Sequence, residues 1–88
     1  MSDIGNPDIV YITVCIHSSV SFTIEARLSS TILKFKKLIA NEEASGRCAV
    51  AKQRLIYKGR VLGDDTKTLS DYGVLRDNQI IYMVKILN

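Results

Sequence analysis

Apolar and polar residues alternate along the opening part of the chain, and the alternation breaks once. Ile9 to Ile16 (IVYITVCI) is rich in β-branched side chains, with Ile12, Val14 and Ile16 on one face and Tyr11, Thr13 and Cys15 on the other. Val20 to Ala26 (VSFTIEA) alternates again and groups Val20, Phe22, Ile24 and Ala26. Period-two runs of this length predict strands with at least one buried face. The polar break His17-Ser18-Ser19 joins them as a hairpin. The period then changes. Ile32, Phe35, Leu38 and Ile39 recur at helical spacing. Ser29, Ser30 and Thr31 precede them, and a hydroxyl there can accept a bond from the free amides of the first turn. Asn41 to Ser45 can extend this helix, and Gly46 is a natural stop. Lys34, Lys36 and Lys37 take other faces and are expected to be solvated.

Beyond an irregular stretch, Arg47 to Lys52, the elements shorten. Gln53 to Tyr57 (QRLIY) predicts a strand, Lys58-Gly59 a turn, and Arg60 to Leu62 another brief strand. Gly63-Asp64-Asp65 is a loop, in which adjacent acids are usually solvated or bonded to nearby backbone. Thr68 to Tyr72 (TLSDY) suggests a single turn held by its Thr, Ser and Asp side chains. Arg76-Asp77-Asn78 is a turn, and Ile80 to Leu87 a last strand apolar on both faces. Strand, strand, helix, strand, short strand, strand is an α+β order. Residues 1–8, with Gly5, Asn6 and Pro7, form an expected flexible segment ahead of one domain over 9–87.

Length and charge narrow the functional classes. The 88 residues suffice for one domain, and 47% apolar content argues against disorder over most of it. Net charge is +3, from 12 Lys and Arg against 9 Asp and Glu, a mild excess without the blocks of like charge found in nucleic-acid tails. Cys15 and Cys48 both lie among apolar residues, where a free thiol behaves as a small hydrophobe; a reactive or bridged thiol is the alternative. No secretory signal pattern follows Met1. A reducing compartment, the cytoplasm, the nucleus or both, is the expected location. His17 is the single histidine and sits at the predicted hairpin tip, so neither a metal site nor a catalytic base is expected there, and no further histidine is available to complete a triad around Ser70-Asp71. No catalytic residue, metal or cofactor is expected.

Gln53 to Lys85 also resembles the second half of ubiquitin-like domains. The run QRLIY-x-GR-V-L-x-DD, the TLSDY turn and a final apolar–aromatic–apolar–Val strand occur together and in order. Thr31 to Ile39 (TILKFKKLI) is similar to the family's helix. The resemblance covers about Val10 to Lys85 and is weakest in the first strand and in Glu42 to Ala51. It implies a β-grasp fold, a mixed sheet wrapped around one helix. The chain is most similar to the integral N-terminal domains of the ubiquilin and scythe type, which belong to chaperone and shuttle proteins of protein quality control. The implied role is a non-catalytic, monomeric interaction module. Its implied partners are proteasome receptor subunits or other ubiquitin-binding proteins that present acidic ubiquitin-interacting helices. The alternative is a free-standing modifier. Against it, the chain ends Lys85-Ile86-Leu87-Asn88 rather than Gly-Gly, and Arg60 stands where the family's best-known linkage lysine is found. A longer parent protein is expected.

Strand alternation turns Leu55 and Tyr57 toward the core and Arg54, Ile56 and Lys58 outward. Ile56 is an aliphatic between two cations, and it needs apolar neighbours to form a patch. The last strand can supply them in one of two registers. Either Ile81 and Met83 point inward and Tyr82 and Val84 lie beside Ile56, or the faces are exchanged. One extra residue near Leu75 to Gln79 leaves the choice open, and the family pattern favours the first. The candidate protein-binding set is then Arg54, Ile56, Lys58, Gly59, Arg60, Tyr82 and Val84. Gly59 would let a partner approach the turn closely.

Overall fold

A computed structural model describes residues 8–17 and 19–86. The two alternating runs form strands β1 (Ile9–His17) and β2 (Val20–Arg27), paired antiparallel from Ile9 opposite Arg27 to Cys15 opposite Ser21. The register shifts between Cys15 and His17, a bulge just before the turn. Ser18, within the expected turn, and residues 1–7 of the expected flexible segment lie outside the described residues. Asp8 is bound into the fold. Its carbonyl accepts from the Leu28 amide at 2.8 Å, and its carboxylate accepts from the Ser29 amide and hydroxyl.

Helix α1 (Ile32–Ala40) starts at Thr31, whose extended backbone and Oγ1, accepting from the Lys34 amide at 3.2 Å, make a regular N-cap. The helix ends at Ala40 and does not continue through Asn41 to Ser45. Glu43–Ser45 forms a separate 3-10 turn, closed by Gly46 at φ 74°. The physical reason lies in Ser45. Its buried hydroxyl sits 2.8 Å from the Ile39 carbonyl and 2.7 Å from the Glu42 carbonyl, and the Ile39 carbonyl also accepts from the Glu42 amide at 3.0 Å, so the chain tightens there instead of continuing as α-helix. A further 3-10 turn, Val50–Lys52, gives local order to the connection expected to be irregular.

Strands β3 (Gln53–Tyr57), β4 (Arg60–Val61) and β5 (Gln79–Lys85) complete one five-stranded sheet in the order β2-β1-β5-β3-β4. Strand β5 runs parallel to β1 and antiparallel to β3. Helix α1 covers one face through Ile32, Phe35 and Ile39, each fully buried against Ile12, Val14, Leu55 and Ile81. This is the β-grasp arrangement.

One lysine of the helix departs from the expected solvated face. Lys36 is buried, and its ammonium lies 2.9 Å from Oδ1 of Asp65. The loop from Gly63 to Thr68 crosses the start of α1. The Ile32 amide donates to the Lys67 carbonyl and the Leu33 amide to the Asp65 carbonyl, satisfying donors that every helix leaves free at its start. Asp65 is thereby carried over Lys36. Asp64 remains exposed and accepts from the amide and hydroxyl of Thr66. The TLSDY turn is the 3-10 segment Ser70–Tyr72. It is held reciprocally, the Thr68 amide donating to Asp71 Oδ2 at 3.0 Å and the Asp71 amide to Thr68 Oγ1 at 3.1 Å.

The Lys36–Asp65 pair is asymmetric, with Asp65 partly open to water and Lys36 almost enclosed. Lys36→Met should therefore cost less than ~1 kcal/mol in urea unfolding, whereas Asp65→Ala, which strands a desolvated ammonium, should cost about 2–3 kcal/mol. Asp71 gives a pH prediction. The Thr68 amide and then the Thr68 hydroxyl hold its carboxyl below the ordinary 3.8. The unfolded chain then binds more protons than the folded one. The contribution of Asp71 is complete above the ordinary value and is lost as pH falls below it. The stability gap between wild type and Asp71→Asn should therefore narrow between about pH 5 and pH 2, as followed by urea midpoints.

Candidate protein-binding face

The face of the sheet opposite α1 carries the candidate site. Its register is set by β5, where Ile81 and Met83 are buried and Tyr82 and Val84 are about half exposed. Tyr82 lies directly opposite Ile56, and Val84 opposite Arg54. The turn ahead of β5 ties the start of the strand to β1. Asn78 adopts φ 62° there and donates its amide to the Tyr11 carbonyl, while Asp77 accepts from the Tyr11 amide. Asparagine tolerates this left-handed conformation better than most residues.

The β3–β4 connection is as short as a hairpin allows. Lys58 and Gly59 both have positive φ, 50° and 80°, the requirement of a two-residue turn whose twist matches the strands. The turn brings Val61 opposite Ile56. Ile56 is therefore flanked by Tyr82 on one side and Val61 on the other, and it is half-buried rather than fully exposed. Val61 itself is 49% exposed. Sequence reasoning did not include it, although alternation from the turn would have placed it on the same side as Ile56.

The cations separate into different positions. Arg54 is exposed on the face itself, beside Val84. The Lys58 ammonium rests 5.4 Å from the centre of the Tyr57 ring, a cation–π contact at the end of the hairpin. Arg60 pairs with Tyr57, whose side chain points inward, so Arg60 leaves the edge strand toward the helix side and not beside Ile56. It lines a shallow cleft with Tyr57, Tyr72 and Leu75. None of the ion pairs found among the described residues engages Arg54, Lys58 or Arg60. Gly59 is exposed at the tip of the turn, with open space where a side chain would be.

The two thiols differ. Cys48 is buried in the core, as expected. Cys15 is half-buried on the outward face, opposite Tyr82 in the β1–β5 pairing. No group of three or more His, Cys, Asp or Glu side chains among the described residues is arranged to hold a metal ion. No helix among them is long and apolar enough to cross a membrane.

A mixed sheet over one helix, with an apolar patch on its open face, is the architecture of ubiquitin-like domains, and comparison with known proteins agrees. The model of the ubiquitin family matches residues 10–87, and the chain belongs to that family. It is 37% identical over 81 residues to the ubiquitin domain-containing protein DSK2b of Arabidopsis thaliana, covering 92% of this chain and 14% of that protein. It is 40% identical over 77 residues to the large proline-rich protein BAG6 of Danio rerio, covering 88% of this chain and 6% of that one. The human UV excision repair protein RAD23 homolog B shares 34% identity over 64 residues, 73% of this chain and 15% of its own length. The chain thus spans a small part of each of these relatives. Among solved structures, the UBL domain of Plasmodium falciparum Dsk2 superposes with a TM-score of 0.73 at 27% identity, covering 88% of this chain and 97% of that one. A ubiquitin-like domain from Arabidopsis thaliana superposes over the whole chain and 88% of its own with a TM-score of 0.78; at 22% identity it supports the fold alone.

Half-burial of Ile56 sets the stability effect of testing it. Ile56→Ala should cost about 1–2 kcal/mol in urea unfolding and leave a folded domain, against roughly 3–4 kcal/mol for Leu55→Ala on the opposite face of the same strand.

Proposed function

We propose that this domain is a non-catalytic interaction module that docks its host protein onto proteasome receptor subunits or other ubiquitin-binding proteins. Its work is in the cytoplasm, the nucleus or both, in ubiquitin-dependent protein quality control. The partner element is an acidic ubiquitin-interacting helix. The observation that carries this reading is Ile56 set between Tyr82 and Val61, with Val84 adjoining and Arg54 exposed on the same face. An amphipathic helix with small apolar residues at its centre suits such a surface, and acidic flanking residues suit its border. Arg54 acts on encounter and orientation more than on final affinity. Lys58, whose ammonium lies over the inward Tyr57 ring, acts only through its longer-range field. Arg60, turned to the other side of the edge strand, contributes through its long-range field. Kinship with the ubiquitin-domain proteins DSK2b and RAD23 homolog B supports placing the domain within a longer host.

A patch this small binds weakly, with Kd on the order of 10–500 μM, or about 5–7 kcal/mol. The test is an NMR titration of labelled protein with an acidic ubiquitin-interacting helix at two salt concentrations. Shifts should cluster on Ile56, Gly59, Val61, Tyr82 and Val84. Affinity should fall as salt rises, and Ile56→Ala should weaken binding at least tenfold while the domain stays folded. Shifts confined to other surfaces would overturn the assignment.

A further inference from the structure

The apolar surface does not stop at the patch around Ile56. Along β5 the outward positions Ile80, Tyr82 and Val84 are 47%, 54% and 48% exposed, a continuous ridge. Strand β1 continues it. Thr13 lies beside Ile80 in the parallel pairing, and Tyr11, two residues earlier on the same side, is 47% exposed. The exposed apolar band therefore runs obliquely from Val61 and Val84 to Tyr11. At ~3.3 Å per residue along strands and ~4.8 Å between them, Val84 and Tyr11 are on the order of 20 Å apart. That is the length of roughly thirteen helical residues, nearly four turns.

The two ends differ in charge. Arg54 borders the band beside Val84. At the other end Glu25 faces Tyr11 across β1 and β2, and the Tyr11 hydroxyl lies 3.4 Å from its carboxylate. Glu25 is exposed and joins no ion pair found among the described residues. Arg27, two residues beyond Glu25 on the same face, is paired with Asp8 at 3.5 Å, which leaves Glu25 to meet a partner there. A uniformly acidic helix complements the first end and meets that carboxylate at the second.

We propose that the docking face is a bipolar band, and that its partner is an amphipathic helix of nearly four turns, acidic where it meets Arg54 and bearing Lys or Arg where it meets Glu25. The inference rests on the docking role proposed above and specifies its partner. Tyr11 and Ile80 supply the second apolar anchor, and Glu25 selects the charge at the far end of the helix. A helix too short to reach Tyr11 gains nothing from that end.

The experiment uses two synthetic helices with the same aliphatic stripe and the same glutamates at one end, carrying either lysines or glutamates at the other. Each is made in both sequence directions. Binding is measured by fluorescence anisotropy for wild type, Ile56→Ala, Glu25→Lys and the Tyr11→Ser/Ile80→Ser double variant, each checked for folding by circular dichroism. Wild type should prefer the lysine-ended helix about threefold. Glu25→Lys should reverse that preference, and the double variant should weaken the lysine-ended helix several-fold. If Ile56→Ala abolishes binding while Glu25→Lys leaves the preference unchanged, the partner stops at the central patch and the bipolar band is overturned. If binding ignores Ile56 as well, the docking face itself falls.

Discussion

Strand β5 is the element on which the rest of the structure depends. It is the last to leave the sequence and lies in the middle of the sheet, parallel to β1 and antiparallel to β3. Its inward residues, Ile81 and Met83, are buried against α1 from both halves of the chain. A slip of one residue would turn the Tyr82 hydroxyl into that core and expose Ile81 and Met83, so one register decides both the packing and the functional face. The turn at Asp77 and Asn78 guards that register by bonding both polar backbone groups of Tyr11, which ties the start of β5 to β1.

The segment between β4 and β5 has little regular structure, and it serves the helix. Its carbonyls receive the first amides of α1, its Asp65 neutralises Lys36, and Leu69 and Val74 are fully buried beneath it. Gln53 braces the middle of α1, donating from its buried amide to the Lys36 and Cys48 carbonyls, and the Ser45 hydroxyl meets the Ile39 carbonyl at the other end. Polar groups thus close both ends of a helix too short to be stable alone in water. The helix in turn backs the sheet. The outward face is consequently backed by a packed core, an arrangement that limits the ordering cost of binding.

That outward face owes its shape to the edge. Strand β4 is only two residues long, so Val61 flanks Ile56 without any further strand covering it. A short edge strand also offers few free backbone groups to a stray chain. At this edge, docking through side chains is therefore favoured over strand addition. Arg54 borders the surface that such docking would use.

Much of the fold was legible in the sequence because its elements announce themselves locally. Alternation in IVYITVCI and VSFTIEA marks the hairpin, the Ile32–Phe35–Ile39 spacing marks the helix, and Lys58-Gly59 marks a tight turn. The family resemblance added the topology, which no local pattern carries. Ile56, Tyr82 and Val84 could be nominated as one patch on that basis. Val61 escaped notice because a two-residue strand is too short to show a period, and Ile80 and Tyr11 because their adjacency arises only from the parallel β1–β5 pairing. The sequence by itself determined which stretches are strands and helix, because backbone preference and side-chain periodicity act over a few residues. Only the tertiary structure decided which face β5 shows to water, that Lys36 is buried against Asp65, that Ser45 ends the helix region early, and that Arg60 stands apart from Ile56. Each of these depends on a partner distant in the chain or on a turn whose geometry a one-residue change would reverse.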